Sequence, residues 1–163
     1  MARRRAGGFA YLWTLALVAL MGAGLAIGAD LYATAARRDQ ERELIFIGHE
    51  FRRAIGRYFE INGANGQHQY PQTLEELLKD PRFPNPKRHL RRLYTDPTTG
   101  QAEWGLVMQQ GRIVGVRSLS GRTPIKQDNF DDDDDGLRHK KRYADWLFTY
   151  PPELFTAQPG GAP

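Results

Sequence analysis

The chain has 163 residues, no cysteine, and 23 Lys and Arg against 19 Asp and Glu. Without cysteine there is no disulfide, no thiolate zinc site and no cysteine nucleophile. The net charge of +4 resembles a nucleic-acid signal, yet Arg3, Arg4 and Arg5 precede the first acidic residue, leaving residues 30–163 with 20 basic against 19 acidic side chains, a balance that argues against phosphate-backbone binding as the main task.

Residues 1–8 form a short basic leader. From Phe9 to Ala29 there follow 21 residues without a charge, which as a helix rising about 1.5 Å per residue cover roughly 30 Å, the thickness of a hydrocarbon layer. This length predicts a transmembrane helix segment over 9–29. The alternative is a cleaved secretory signal, since Ala23-Gly24-Leu25-Ala26 has small-x-small spacing, but the run exceeds the about 7–15 apolar residues usual for one. Counting charges does not orient the span, because Arg3–Arg5 on one side face Arg37, Arg38 and Arg42 on the other.

Residues 30–62 read as a continuation of the helix, rich in Ala, Arg, Glu and Leu and free of proline up to Ile61. Arg37 to Glu43 predicts a solvated face laced with ion pairs. Leu44, Ile47, Phe51, Ile55, Tyr58 and Ile61 then recur at intervals of three and four, which puts them in one stripe. Packing against the rest of a domain explains that stripe better than a coiled-coil seam, for which it is too short. One helix from Phe9 to Ile61 would be about 80 Å long.

Asn62-Gly63-Ala64-Asn65-Gly66 supplies residues that end the helix, and residues 63–157 read as a globular domain. Thr73 and Glu76 have capping-box spacing ahead of Leu74, Leu77 and Leu78, while Pro81, Pro84 and Pro86 confine that helix. Arg88, Arg91 and Arg92, with His89 between them and Leu90 and Leu93 beside them, read either as a solvated face or as a surface for an anionic partner or lipid headgroup. Asp96-Pro97-Thr98-Thr99-Gly100 is a turn. The period then changes to two at Trp104, Leu106 and Met108, followed by Gln109-Gln110-Gly111 and by Ile113, Val114 and Val116, which predicts an antiparallel hairpin. A third strand is expected over Tyr143–Tyr150, stopped by Pro151-Pro152, and residues 158–163 read as a loose tail. The fold class expected is α+β, a long N-terminal helix packed on a small antiparallel sheet.

Asp131-x-Asp133-x-Asp135-Gly136 repeats the first half of an EF-hand loop, but Arg142 stands where the bidentate glutamate belongs. Asp128, Asp131, Asp133 and Asp135 therefore keep two readings. One is a calcium site of another kind. The other is a solvated loop whose repulsion is relieved by Arg138-His139-Lys140-Lys141-Arg142. No other cofactor is expected. His49, His68, His89 and His139 lack metal-ligand spacing, no nucleophile elbow or phosphate loop occurs, and Ser118-Leu119-Ser120-Gly121 reads as a strand end. An enzyme is not expected.

Basic residues, then Gly7-Gly8, then Phe9 and an apolar run resemble the N-terminus of a type IV prepilin. The likeness extends to the long helix, to Tyr70-Pro71-x-Thr73-Leu74-Glu75-Glu76-Leu77, to the Asp96-Pro97 turn with Gly100 and to the hairpin, and it is most similar to the major-pseudopilin type of type II secretion. The resemblance implies cleavage after Gly8 by a prepilin peptidase, methylation of Phe9, a single pass through the bacterial inner membrane with the soluble domain periplasmic, and assembly with other pseudopilins and inner-membrane secretion components into a pseudopilus that helps export folded proteins. It also implies a calcium loop near Asp128–Asp135. Trp13 departs from the pattern, because the family carries a glutamate as the fifth residue after the cut, thought to neutralise a neighbour's amine. Lack of that glutamate is known among tip subunits of the family, so Trp13 is read as a tip-like or divergent feature, or as a plain lipid-facing or helix-packing residue. The alternatives are a minor type IV pilin and an anchored binding or accessory domain outside any filament.

Overall fold

A computed structural model of the chain describes the backbone of residues 7–61 and 66–155, and the side chains of residues 10–24, 32–61 and 66–155. The first element is the helix α1, Gly7–Glu60. The chain divides into two compact units between Asp39 and Gln40. In the first unit every described side chain is exposed, Tyr11, Leu12, Trp13, Leu17, Val18 and Leu20 among them. Among the described residues no helix is long and apolar enough to cross a membrane, and the segment expected to do so, 9–29, lies partly outside them, since the side chains of Phe9 and of residues 25–29 are not described.

The second unit is α+β. Its core forms on the C-terminal part of α1, where Leu44, Ile47, Phe51, Ile55 and Tyr58 are buried at the expected spacing and Ala54 joins them. Ile61 lies past the helix end and is only half-buried. The sheet has three antiparallel strands in the order β1 (Gly105–Gln109), β2 (Arg112–Arg117), β3 (Leu147–Thr149). Gln110 and Gly111, at φ +51° and +76°, close the hairpin between paired Gln109 and Arg112, the left-handed pair that a two-residue turn between twisted strands requires. A register irregularity at Val107/Met108 disturbs the alternation of β2, so Ile113 and Val116, three apart, join one core cluster. Gly48 of α1 meets the ring of Phe148 so closely that a Cβ there would overlap it, which lets the sheet approach the helix.

Several sequence expectations are corrected. The third strand is shorter than Tyr143–Tyr150: Tyr143–Asp145 is a 3-10 turn, set by bonds from the Tyr143 and Ala144 amides to the carbonyls of Arg122 and Ser120. That turn buries Tyr143 and Trp146 together, ring centroids 5.1 Å apart, where a strand would direct residues three apart to opposite faces. The helix α2, Glu75–Leu78, has Leu74 and not Thr73 at its cap, with no side-chain capping bond. Glu76 instead accepts from the Tyr58 hydroxyl at 2.8 Å and from the Gln72 amide at 3.1 Å, so it ties α2 to α1. Glu41, placed in the solvated stretch by its neighbours, is buried. It accepts from the Ile125 and Lys126 amides and the Tyr143 hydroxyl, three bonds that offset the desolvation of its charge. Leu106 and Met108 on the edge strand β1 are about half exposed, so their alternation marked the hairpin without marking core residues. The turn at Asp96 forms as expected: Asp96 accepts from the Thr98 amide and hydroxyl and from Ser118, and Gly100 has φ +74°.

Candidate functional site

Three groups of polar side chains stand out, and the first closes the end of α1. The last carbonyls of a helix lack intrahelical donors. Here Arg82 supplies them, donating to Tyr58 O at 2.8 Å and Ile61 O at 3.1 Å while its guanidinium lies 3.7 Å from the Tyr58 ring centroid. Asp80 holds Arg82 through Nε and Nη2 at 2.9 and 2.7 Å, and the buried His89 donates Nε2–H to Asp80 at 2.9 Å. A carboxylate only accepts, so the proton sits on that nitrogen. The expectation of a solvated His89 is thus corrected: it belongs to a buried clamp under the Arg88–Arg92 surface.

Burial alone would raise the Asp80 carboxyl, but the hydrogen bonds from Arg82 and His89 outweigh it and hold it at about 2. For His89 burial wins over Asp80 and pushes the imidazole below its ordinary value. In both cases the folded chain binds the proton less tightly than the unfolded one, so stability is present at neutral pH and falls with acid. The expected profile is level from pH 8 to 7, declines once the pH drops below about 6.5 as unfolded His89 takes up its proton, and steepens below about 4 as the carboxylates follow. Asp80 alone accounts for roughly 2 kcal/mol of the loss. Melting temperatures measured from pH 8 to 3 check this, and His89→Gln flattens the limb between pH 6.5 and 5. Stability that rises on acidification from pH 7 to 5 would contradict the assignment.

The second group is the acidic loop, which forms a 3-10 turn over Asp132–Leu137. Its centre is Asp134, a residue the sequence pattern had not singled out. It is buried against α1, accepting from His49 Nε2 at 2.7 Å and Arg52 Nη1 at 2.9 Å. Burial would raise its carboxyl, and His49 and Arg52 together hold it below the ordinary range. The spacing of buried Phe130, Asp134 and Leu137, four then three, was the available signal. The four aspartates expected as a calcium set are divided. Asp128 and Asp135 both face Arg138, at 3.6 and 3.0 Å. Asp131 and Asp133 line a concavity of about 230 Å³ with His49, Arg52, Arg53 and Asp134, where a cation would meet two guanidinium groups. Among the described residues no group of three or more His, Cys, Asp or Glu could hold a metal ion.

The third group is basic. Arg57, Arg88, His89, Leu90 and Arg91 line an open concavity of about 460 Å³. Arg57 is fixed there by donating to His89 O at 2.6 Å, and Arg92 lies 5.1 Å from the Tyr94 ring centroid. Gly8 and Phe9 fall on α1, but their side-chain surroundings lie outside the described residues. Trp13 is exposed, at 62 % of its full area. Comparison with protein-family models, with characterised proteins and with solved structures found no match to this chain.

Proposed function

We propose that the chain is a pseudopilin-type subunit that acts by assembling through its N-terminal helix, anchored in a membrane by residues 9–29 after cleavage between Gly8 and Phe9. The observation that carries this reading is α1 itself. It runs from Gly7 to Glu60, buries a stripe from Leu44 to Tyr58 in its own domain, and leaves the apolar side chains from Tyr11 to Met21 exposed. Exposed apolar surface on that scale calls for lipid or partner helices. The charge-free sequence from Phe9 to Ala29 is long enough for a hydrocarbon layer when taken whole. The α+β domain at the C-terminal end of the helix agrees with the pilin-like order of elements.

On this reading processed subunits wait in the bacterial inner membrane with the domain in the periplasm, and lateral packing of helices draws them into a short filament of a type II secretion machine, powered by a cytoplasmic ATPase. The chain performs no chemistry of its own. Trp13 offers no carboxylate to a neighbour's N-terminal ammonium, whose burial in hydrocarbon costs several kcal/mol unpaired, and this favours a tip or specialised position over the repeating body of a filament. Intact-mass and N-terminal analysis of membrane-extracted protein tests the reading. A chain beginning at methylated Phe9 supports it. An unprocessed Met1 in cells that contain the peptidase refutes it.

A further inference from the structure

Charge in the globular unit is satisfied unevenly. Asp134 takes up His49 and Arg52, and Asp128 and Asp135 take up Arg138. Exposed Asp131, Asp132 and Asp133 stand in succession, and no ion pair involves them among the described residues. On the other side of the ledger, Arg57, Arg88 and Arg91 surround a concavity that no acidic side chain lines, and none of the three has a carboxylate partner among the described residues. Each of the three is exposed, and Arg57 is held in place through His89 O. Beneath them the Asp80–Arg82–His89 clamp fixes the segment that carries Arg88 and Arg91.

We infer that this concavity is a docking site for the Asp131–Asp133 segment of a second copy of the chain. Guanidinium groups present paired N–H donors that match carboxylate oxygens, and Arg57, already held through His89 O, loses less freedom on binding than an unattached side chain. A volume of about 460 Å³ admits one aspartate side chain with its neighbours at the rim. Three unpaired anions and three unpaired cations on one chain complement each other, which selects a second copy over a foreign anion. The two surfaces differ, so the contact is head-to-tail between two neighbouring copies. The inference rests on the assembly proposed above only for the presence of a second copy.

The test uses the full chain in detergent micelles. Because it has no cysteine, Arg92→Cys on one tagged chain and Asp132→Cys on another, oxidised by dissolved oxygen with a copper catalyst, give a mixed disulfide only where the two surfaces meet. The expected result is a mixed disulfide at low salt, reduced at least about tenfold by Arg88→Glu with Arg91→Glu, since like charges then face each other. Adding Asp131→Lys and Asp133→Lys to the chain that carries Asp132→Cys restores it, because the charges across the contact are then opposite again. No disulfide, a disulfide indifferent to the Glu pair, or failure of the Lys pair to restore it overturns the contact. So does binding of inorganic phosphate or phosphatidylglycerol vesicles at these arginines without cross-linking. A variant that melts early is replaced by the Arg88→Gln, Arg91→Gln chain, read the same way. N-terminal mass on the same samples separates the failures: methylated Phe9 without cross-linking sinks this contact alone, while cross-linking with an intact Met1 sinks the subunit reading alone.

Discussion

Replacing Asp134 by alanine lowers the unfolding free energy of the globular unit by about 3–5 kcal/mol, the usual cost of removing one partner from a buried ion pair. The cause is what remains. Arg52 is buried, its Nη1 loses the carboxylate 2.9 Å away, and its Nε already has no hydrogen-bond partner. His49 loses its partner as well, and the turn over Asp132–Leu137 loses its tie to α1. Denaturant unfolding followed by the fluorescence of Trp146, which is buried beside Phe130, measures the loss. Converting both partners, Asp134→Leu with Arg52→Met, recovers most of it, because no charge is then left buried and unpaired. A loss below about 1 kcal/mol for the alanine variant would mean that the pair is solvated like a surface bridge.

The stripe from Leu44 to Tyr58, the hairpin and the Asp96 turn rest on local period and local turn chemistry, and each was legible. Glu41, Asp134, Glu76 and His89 were not. Each is a polar residue whose partner belongs to another segment: Glu41 meets Ile125, Lys126 and Tyr143, Asp134 meets His49 and Arg52, Glu76 meets Tyr58, and His89 meets Asp80. Composition predicts solvent for such residues, while tertiary structure selects one of them to be buried and bonded. Glu41 does continue the helical stripe, three residues before Leu44, and Asp134 shares the spacing of Phe130 and Leu137. Position on a buried face was the better guide than polarity. The calcium reading of Asp128, Asp131, Asp133 and Asp135 depends on where each carboxylate points, which residue order alone does not encode; the loop turns Asp134 inward and aims Asp128 and Asp135 at Arg138. Tyr143–Tyr150 failed as one strand because aromatic enrichment signals burial as readily as it signals β-structure.

Replacing Gly8 by tryptophan abolishes assembly while leaving the globular unit folded. The proposed cut requires the peptidase to bring the Gly8–Phe9 peptide bond into its site, and a glycine before that bond leaves the backbone accessible where a large side chain would block the approach. Among the described residues the core of the domain begins at Leu44 and is completed by Trp104, Ile113, Trp146 and Phe148, so its melting temperature is expected to stay within about 2 °C of the parent. The variant therefore accumulates in membranes with Met1 intact and is absent from sheared or cross-linked filaments. Phe9→Ala separates cleavage from assembly, since the cut survives and the chain still carries residues 10–29. The two steps are then read independently by mass and by cross-linking. Filaments formed by the uncleaved Gly8→Trp chain would show that assembly through α1 does not depend on this junction, and would overturn Gly8/Phe9 as the processing site.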